Sequence, residues 1–215
     1  MSTKKVAAVY MQNSGLGNII NPLLSLVDPD VYSIPMILLI GWRGEPGVAD
    51  EPQHIKQGRI TTDLLDVMKI PYEILSSETS SEESDQIVKR MVQQAFTLNA
   101  PCALLVKKGT FSSYKLKLDN YYKRDLYREQ VIEIIINEIS SDDIVVSTTG
   151  VASRELFEYR SKKSQSHEKD FLTVGGMGHA SQIALGISLF KKNRTVYCID
   201  GDGALIMHMG SLAVN

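Results

Sequence analysis

The chain has 215 residues, of which 43% are hydrophobic and 22% are charged, and its formal net charge is −2. This length suits one large or two small domains of an ordinary globular protein. The nearly balanced charge excludes the strongly basic surface that attracts nucleic acid. No hydrophobic run reaches the roughly 18 residues of a membrane helix.

The start of the chain and its two cysteines bear on location. Residues 1–5 are too short and too polar for a signal peptide, so a cytoplasmic location is expected. Cys102 and Cys198 both lie inside apolar runs. This pattern predicts buried free thiols in a reducing compartment.

The first half of the chain alternates short apolar runs with amphipathic stretches, which predicts βαβ units and a parallel sheet. Residues 13–18 are interpreted as a glycine turn after the first strand, and residues 41–57, rich in Gly, Pro and charge, as a loop. The predicted strands are 6–10, 34–40, 72–75 and 102–106. The predicted helices are 19–27, 60–68 and 82–97.

The composition changes after residue 110. Residues 111–123 are polar and tyrosine-rich without a clear period, and they are predicted to link a domain of residues 1–110 to one of residues 124–215. In the second domain the predicted strands are 144–146, 171–174 and 195–199, and the predicted helices are 124–139, 153–162 and 180–190. The predicted fold class is therefore α/β, with two domains of parallel sheet flanked by helices.

Three turns in the second domain come directly after predicted strands: Ser147-Thr148-Thr149-Gly150, Gly175-Gly176-Met177-Gly178 and Gly201-Asp202-Gly203-Ala204. Ligands of parallel sheets bind beyond the carboxyl ends of the strands, where these turns would converge. Hydroxyl and backbone N–H groups suit phosphate oxygens, and one carboxylate suits a Mg²⁺ that bridges to the same phosphates. The turns therefore predict a cation-bridged phosphate site. Met177 either presses against a flat cofactor ring or fills a gap in the core.

At these residues the sequence resembles thiamin-diphosphate-dependent decarboxylases. The Gly201-Asp202-Gly203 turn resembles the start of that family's diphosphate-binding motif. Four further segments, YMQNSGLGN (10–18), IGWRGEPG (40–47), DEPQH (50–54) and GGMGHA (175–180), resemble the phosphonopyruvate decarboxylases in particular. Sulfopyruvate decarboxylases are their near relatives, and these segments span nearly the whole chain.

The resemblance implies a partial pyrimidine-binding domain over residues 1–110 and a partial diphosphate-binding domain over residues 124–215. It implies that thiamin diphosphate binds with Mg²⁺ between domains of different subunits, so that a homo-oligomer of at least two chains, or a complementary chain, is required. The implied metal ligand is Asp202. The implied cofactor-binding residues are Asn13, Gly15, Thr148, Thr149, Gly150, Gly176, Met177, Gly178, Gly201, Asp202, Gly203 and Ala204.

The implied reaction is decarboxylation of 3-phosphonopyruvate to phosphonoacetaldehyde in phosphonate biosynthesis. Arg43 and His54 follow a strand of the first domain and are the candidate catalytic residues. An arginine can bind a phosphonate bidentately, and a histidine can relay a proton. For each of them the alternative interpretation is an ordinary residue of a surface loop.

Two expected family residues have no counterpart here. Family members carry an activating glutamate ahead of the strand that resembles residues 6–10, and a second metal ligand at a position beyond Asn215. The resemblance therefore implies a chain truncated at both ends, with little decarboxylase activity alone. The alternatives are a sulfopyruvate decarboxylase and a non-catalytic subunit for cofactor binding or assembly. A generic nucleotide-binding protein is disfavoured, because neither a G-x-G-x-x-G nor a P-loop pattern is present.

Overall fold

The computed structural model describes residues 5–115 and 125–214. The chain divides into two compact units, Met1–Lys117 and Leu118–Asn215. The predicted linker, residues 111–123, lies outside the described residues from residue 116 onward. Among the helices of the described residues, none is long and apolar enough to cross a membrane.

The first unit is built on a four-stranded parallel sheet, sheet A, with the strand order β1-β2-β4-β3. Its central strands are apolar on both faces, as is usual for a parallel sheet covered by helices. The strands are β1 (Ala7–Gln12), β2 (Met36–Gly41), β3 (Tyr72–Leu75) and β4 (Pro101–Val106). The helices are α1 (Asn13–Pro22), continued by a π-helical segment (Leu23–Val27), α2 (Pro52–Val67) and α3 (Ser81–Leu98).

Helices cover both faces of sheet A. On one face, Leu16 of α1 and Leu65 of α2 are fully buried against Leu38 and other strand residues. On the other face, α3 packs through Ile87, Met91 and Ala95, which recur at every fourth position and so form one stripe. Ser80 begins α3 by accepting a hydrogen bond from the Glu83 N–H at 3.1 Å, and Asn99 ends it in the left-handed conformation with φ of 47°.

The second unit is built on a smaller parallel sheet, sheet B, with the strand order β6-β5-β7. Helices α4 and α5 pack around Val145 of β5, and α6 packs on the opposite side against Val146. The strands are β5 (Ile144–Ser147), β6 (Asp170–Leu172) and β7 (Val196–Ile199). The helices are α4 (Arg128–Glu138), α5 (Val151–Lys162), α6 (Ala180–Phe190) and α7 (Asp202–Met207), followed by a 3₁₀ helix (Met209–Ala213).

The two sheets with their flanking helices confirm the predicted α/β class, but several local predictions were wrong. Residues 13–18 form the start of α1 and not a turn, because the Asn13 side chain bonds to neighbouring backbone and anchors the helix there. The predicted loop of residues 41–57 ends at residue 51, since Pro52 stands at the first helical position, where proline is favoured. Helix α4 begins at Arg128, where the Gln130 side chain accepts a hydrogen bond from the Tyr127 N–H.

The two cysteines differ in their environment. Cys102 is buried in β4, as predicted, but Cys198 is exposed. Strand β7 lies at an edge of sheet B, so the described residues flank it on one side only. The prediction that both thiols are buried was therefore wrong for Cys198.

Candidate functional site

The structure brings the three glycine-containing turns of the second unit together at the carboxyl edge of sheet B. The Thr148 N–H donates to the Ile199 carbonyl at 2.8 Å, and the Thr148 methyl group lies 3.7 Å from where a Cβ at Gly201 would stand. The Thr149 hydroxyl donates to the Val174 carbonyl at 2.5 Å. The turn after β5 is therefore in direct contact with the turns after β6 and β7.

The turn after β6 also contacts the turn after β7. The terminal methyl carbon of Met177 lies 3.0 Å from the Cβ position of Gly203. A Cβ at Gly178 would lie 3.1 Å from the Ala204 carbonyl oxygen and 2.5 Å from a ring carbon of His208. Because Gly178 also has φ of +91°, only glycine fits this approach without strain.

The turns enclose one side of a cavity of about 620 Å³. Its wall includes most of the residues that the resemblance implied for the diphosphate end of the cofactor. Gly150, Gly176 and Gly178 belong to the same turns but do not line it. The lining residues are Arg128, Val131, Ile132, Ile135, Thr148, Thr149, Val151, Ala152, Met177, Cys198, Ile199, Asp200, Gly201, Asp202, Gly203 and Ala204.

The donors around this cavity fit a diphosphate. Helix α5 begins beside it, with Gly150 as the N-terminal cap at φ of +98°, and glycine has no side chain that could cap the first backbone N–H groups. These N–H groups point out of the helix start, where anions bind favourably. The threonine hydroxyls and the flexible glycine turns add small, polar walls.

Asp202 is the carboxylate that fits a Mg²⁺. It is exposed at the first position of α7, and it makes no hydrogen bond or ion pair with the described residues. Its neighbour Asp200 accepts a hydrogen bond from the Gly201 N–H at 2.9 Å. Within the described residues no three His, Cys, Asp or Glu side chains form a metal cluster. This donor set suits a Mg²⁺ that takes its remaining ligands from phosphate and water.

Cys198 shares the wall of this cavity with the two carboxylates. Desolvation of the thiol and the negative charge of Asp200 raise the pKa of Cys198 to about 11. The thiol therefore stays protonated at neutral pH and is a poor nucleophile or metal ligand.

In the first unit, Asn13 lies at the carboxyl end of β1 and is buried. Its amide donates to the Arg43 carbonyl at 2.8 Å and to the Thr61 hydroxyl at 2.9 Å, and its carbonyl accepts from the Arg43 N–H at 3.1 Å. Gly15 lies two residues further into α1, near Met11. The cofactor-binding role assigned to Asn13 and Gly15 stays a prediction, and the Asn13 side chain is already engaged within the unit.

Arg43 is held by Asp50. The Arg43 Nε and Nη2 atoms donate to the two carboxylate oxygens at 2.8 and 2.5 Å. The backbone N–H groups of Gly44 and Glu51 donate to the same carboxylate, each at 2.8 Å. Chiefly through the hydrogen bonds from Arg43, this arrangement holds the pKa of Asp50 well below its usual value.

His54 lies in the first turn of α2, packed against the segment that carries Arg43. A Cβ at Gly44 would lie 2.0 Å from the His54 carbonyl oxygen, and one at Gly58 would lie 1.7 Å from the Gly44 carbonyl oxygen. The His54 Nδ1 and Gln53 Oε1 atoms are buried without a hydrogen-bond partner in the described part of the chain. The catalytic role of His54 and Arg43 stays a prediction.

The sequence reasoning missed Asp50, Asp200 and Cys198 as site residues. Asp50 is the first residue of the DEPQH segment quoted above, and Asp200 directly precedes the Gly201-Asp202-Gly203 turn. A search for a carboxylate within a few residues of a candidate arginine would have found Asp50. Only the sheet order reveals that Cys198 faces the cavity.

A comparison with protein families first identifies the class of protein that the second unit resembles. Residues 148–214 match the family described as "Thiamine pyrophosphate enzyme, C-terminal TPP binding domain". This segment contains Asp202 and all residues of the three turns except Ser147. The predicted resemblance to thiamin-diphosphate-dependent enzymes is confirmed.

The curated relatives narrow the comparison to decarboxylases. The chain is 35% identical to phosphonopyruvate decarboxylase from Streptomyces viridochromogenes, over 94% of the chain and 52% of the relative. It is 33% identical to the enzyme of the same name from Streptomyces hygroscopicus, with the same coverage. It is 43% identical to sulfopyruvate decarboxylase subunit beta from Methanococcus maripaludis, over 41% of the chain and 44% of the relative. The chain spans about half the length of these relatives.

Proposed function

We propose that this chain binds thiamin diphosphate and Mg²⁺ and takes part in the decarboxylation of 3-phosphonopyruvate to phosphonoacetaldehyde in phosphonate biosynthesis. The observation that carries the proposal is the convergence of three turns and Asp202 on one cavity, within the segment that matches a cofactor-binding domain. The similarity to two phosphonopyruvate decarboxylases over 94% of the chain supports the substrate.

In the second unit, Asp202 would hold Mg²⁺, and the metal would share the diphosphate with the N–H groups at the start of α5. Thr148 and Thr149 would contact the diphosphate from the turn after β5. Met177 packs against Gly203, and its side chain would provide an apolar surface for the rings of the cofactor. When bound, the cofactor would supply the electron sink that allows the carboxylate of a 2-oxo acid to leave as carbon dioxide.

In the first unit, Arg43 would bind the substrate phosphonate and His54 would hold or relay a proton. The His54 Nδ1 atom is buried and has no hydrogen-bond partner among the described residues, so it is not committed to a structural hydrogen bond there. The two units would contribute to a shared site in an oligomer or with a complementary chain. The existence of a relative named as a subunit supports assembly from more than one chain.

A sulfopyruvate decarboxylase is the second candidate, because the chain is 43% identical to the beta subunit of such an enzyme over 41% of its length. Phosphonate and sulfonate are both tetrahedral oxyanions, and a positioned arginine suits either of them. A subunit that binds cofactor without turning over substrate is the third candidate.

The test begins with calorimetric titration of thiamin diphosphate into the chain, with and without Mg²⁺. We expect Mg²⁺-dependent binding that Asp202→Asn weakens at least about tenfold, because a lone carboxylate anchors the metal. Asp142→Asn, which removes an exposed carboxylate paired with Lys169, is the matched control. Failure of the wild-type chain to bind the cofactor would contradict the proposal.

Substrate choice is tested separately, with 3-phosphonopyruvate and sulfopyruvate supplied side by side. Faster release of carbon dioxide from 3-phosphonopyruvate supports the first candidate, and the reverse order supports the second. Little release is expected of the chain alone, so the third candidate is favoured only if the cofactor binds and neither substrate binds.

A further inference from the structure

Asp50 is the centre of a small hydrogen-bond network in the turn that follows β2. Its carboxylate is 12% exposed and accepts from two nitrogens of Arg43 and from two backbone N–H groups. Two parallel bonds between an arginine and a carboxylate set the plane of the guanidinium as well as its distance. The Arg43 side chain is therefore fixed although it is 40% exposed.

The backbone under Arg43 is fixed as well. Asn13 bonds to both the N–H and the carbonyl of Arg43. The close contact of Gly44 with Gly58 leaves no room for a Cβ, and the Trp42 indole N–H donates to the Gly58 carbonyl at 2.9 Å. Main chain and side chain of Arg43 are thus held from opposite sides.

This network leaves part of the guanidinium open. Asp50 takes the Nε and Nη2 side, and Nη1 makes no hydrogen bond with the described residues. Asp50 cancels the charge of Arg43, and Glu51 lies near enough to add a further negative charge. The net local charge therefore does not favour binding of an anion. An anion would instead be bound by hydrogen bonds from the remaining N–H groups of the guanidinium, which point in a fixed direction.

We propose that Asp50 is a positioning residue that holds the Arg43 guanidinium so that its open edge receives the terminal oxyanion of the substrate. This inference rests on the proposed function and deepens it, because it names the residue that would set selectivity for a 2-oxo acid with a phosphonate end. Asn13 has the same kind of role toward the Arg43 backbone, because its side-chain amide bonds to both the N–H and the carbonyl of Arg43.

The Asp50→Asn variant distinguishes an arginine that acts through its fixed orientation from one that acts only through its charge. The two cases predict opposite changes in the affinity for 3-phosphonopyruvate. If Arg43 acts as a point charge, removing the negative charge of Asp50 strengthens binding of 3-phosphonopyruvate. If the fixed orientation matters, the same change weakens binding, and we expect a loss of at least about tenfold. Arg43→Lys keeps the charge and loses the planar donor pair, so it should weaken binding by a similar factor.

Glu45→Gln is the matched control. Glu45 lies in the same turn and is 13% exposed, but its ion pair at 2.7 Å is with Lys107 and not with Arg43. This variant makes the same change of charge as Asp50→Asn and should leave the binding of 3-phosphonopyruvate within about twofold, since Glu45 pairs with Lys107 and does not orient Arg43.

The readout is the ratio of dissociation constants for pyruvate and 3-phosphonopyruvate, measured calorimetrically with thiamin diphosphate and Mg²⁺ present. Pyruvate lacks the terminal oxyanion, so general loosening of the unit weakens both ligands and leaves the ratio unchanged. Loss of positioning lowers the ratio. Urea unfolding of each variant shows whether it is folded, and Arg43→Lys supplies the test if Asp50→Asn is not.

An unchanged ratio in folded Asp50→Asn would overturn the inference, and so would tighter binding of 3-phosphonopyruvate by this variant. If Asp50→Asn is not folded, an unchanged ratio in Arg43→Lys would overturn it. No binding of 3-phosphonopyruvate by the wild-type chain would also overturn it. The same sample shows whether thiamin diphosphate binds. Binding of thiamin diphosphate without binding of 3-phosphonopyruvate contradicts only this inference. If neither of them binds, the proposed function is contradicted as well.

Discussion

The side chain of Met177 packs directly against Gly203, and its terminal methyl carbon lies 3.0 Å from the position that a Cβ at residue 203 would occupy. The contact joins the turn after β6 to the first turn of α7, next to Asp202. A methionine that is 43% exposed at the wall of a cavity contributes little to folding, so its apolar surface is available to a ligand.

We expect Met177→Ala to weaken binding of thiamin diphosphate by about tenfold and to lower the free energy of unfolding by less than about 1 kcal/mol, because a half-exposed side chain loses little buried area. Calorimetry and urea unfolding measure the two quantities. Met209→Ala is the control, since Met209 is 60% exposed and does not line the cavity. Equal affinity of the two variants for the cofactor would contradict the predicted role of Met177.

Gly178→Ala is expected to destabilise the second unit by about 1–3 kcal/mol, because its backbone is left-handed and the new Cβ would collide with His208. The shift of the turn should also weaken cofactor binding. Gly186→Ala is the control: Gly186 lies inside α6, and apart from its chain neighbours and the backbone of that helix no described atom lies within 4 Å of its Cβ position, so alanine should leave the unit equally or more stable. Thermal unfolding of both variants checks the difference in sign.

Cys198 is expected to react slowly with iodoacetamide although it is exposed. With a pKa of about 11, only about one thiol in a thousand is ionised at pH 8, and the rate should still rise between pH 9 and about pH 10. Thiamin diphosphate with Mg²⁺ should slow the reaction further, because Cys198 lines the cavity. Mass spectrometry of the labelled chain, with Cys198→Ser as the control, gives the rate. Labelling as fast as a free thiol at pH 8 would refute the raised pKa.

Asp50 should make the stability of the first unit depend on pH. Its pKa in the folded chain lies well below the unfolded value of 3.8, so folding favours the charged form. The stabilisation is therefore complete above about pH 5 and is lost as the pH falls through the folded pKa. Urea unfolding should show Asp50→Asn to be less stable than wild type near neutral pH, with the difference shrinking toward about pH 2. A difference that is constant over this range would show that protonation of Asp50 is not linked to folding.

In the second unit, the sequence was sufficient to predict that each strand is followed by a glycine-containing turn. The strand Tyr72–Leu75 and the helix Ala180–Phe190 have the predicted bounds. The convergence on Asp202 followed from a general property of parallel sheets, because neighbouring strands present their carboxyl ends at one edge. The contact of Met177 with Gly203 could not be predicted, since it depends on the side-chain conformation at the turn.

The misread segments show what a single sequence leaves open. Asn13 begins a helix because its amide finds partners some 30 and 48 positions further along the chain, and no local pattern reports such contacts. Cys198 looks like a core residue in its apolar run, but β7 lies at the edge of sheet B. The pairing of Arg43 with Asp50 was within reach, because the two are only seven positions apart.

The outer edge of β1 can promote association between molecules during binding measurements. Strand β1 pairs with β2 alone among the described strands of sheet A, so its other row of backbone N–H and carbonyl groups faces outward beside the exposed side chains of Val9 and Tyr10. Such an edge is a template for adhesion between molecules. Titrations should therefore be carried out at low protein concentration and monitored by light scattering, so that aggregation is not mistaken for ligand binding.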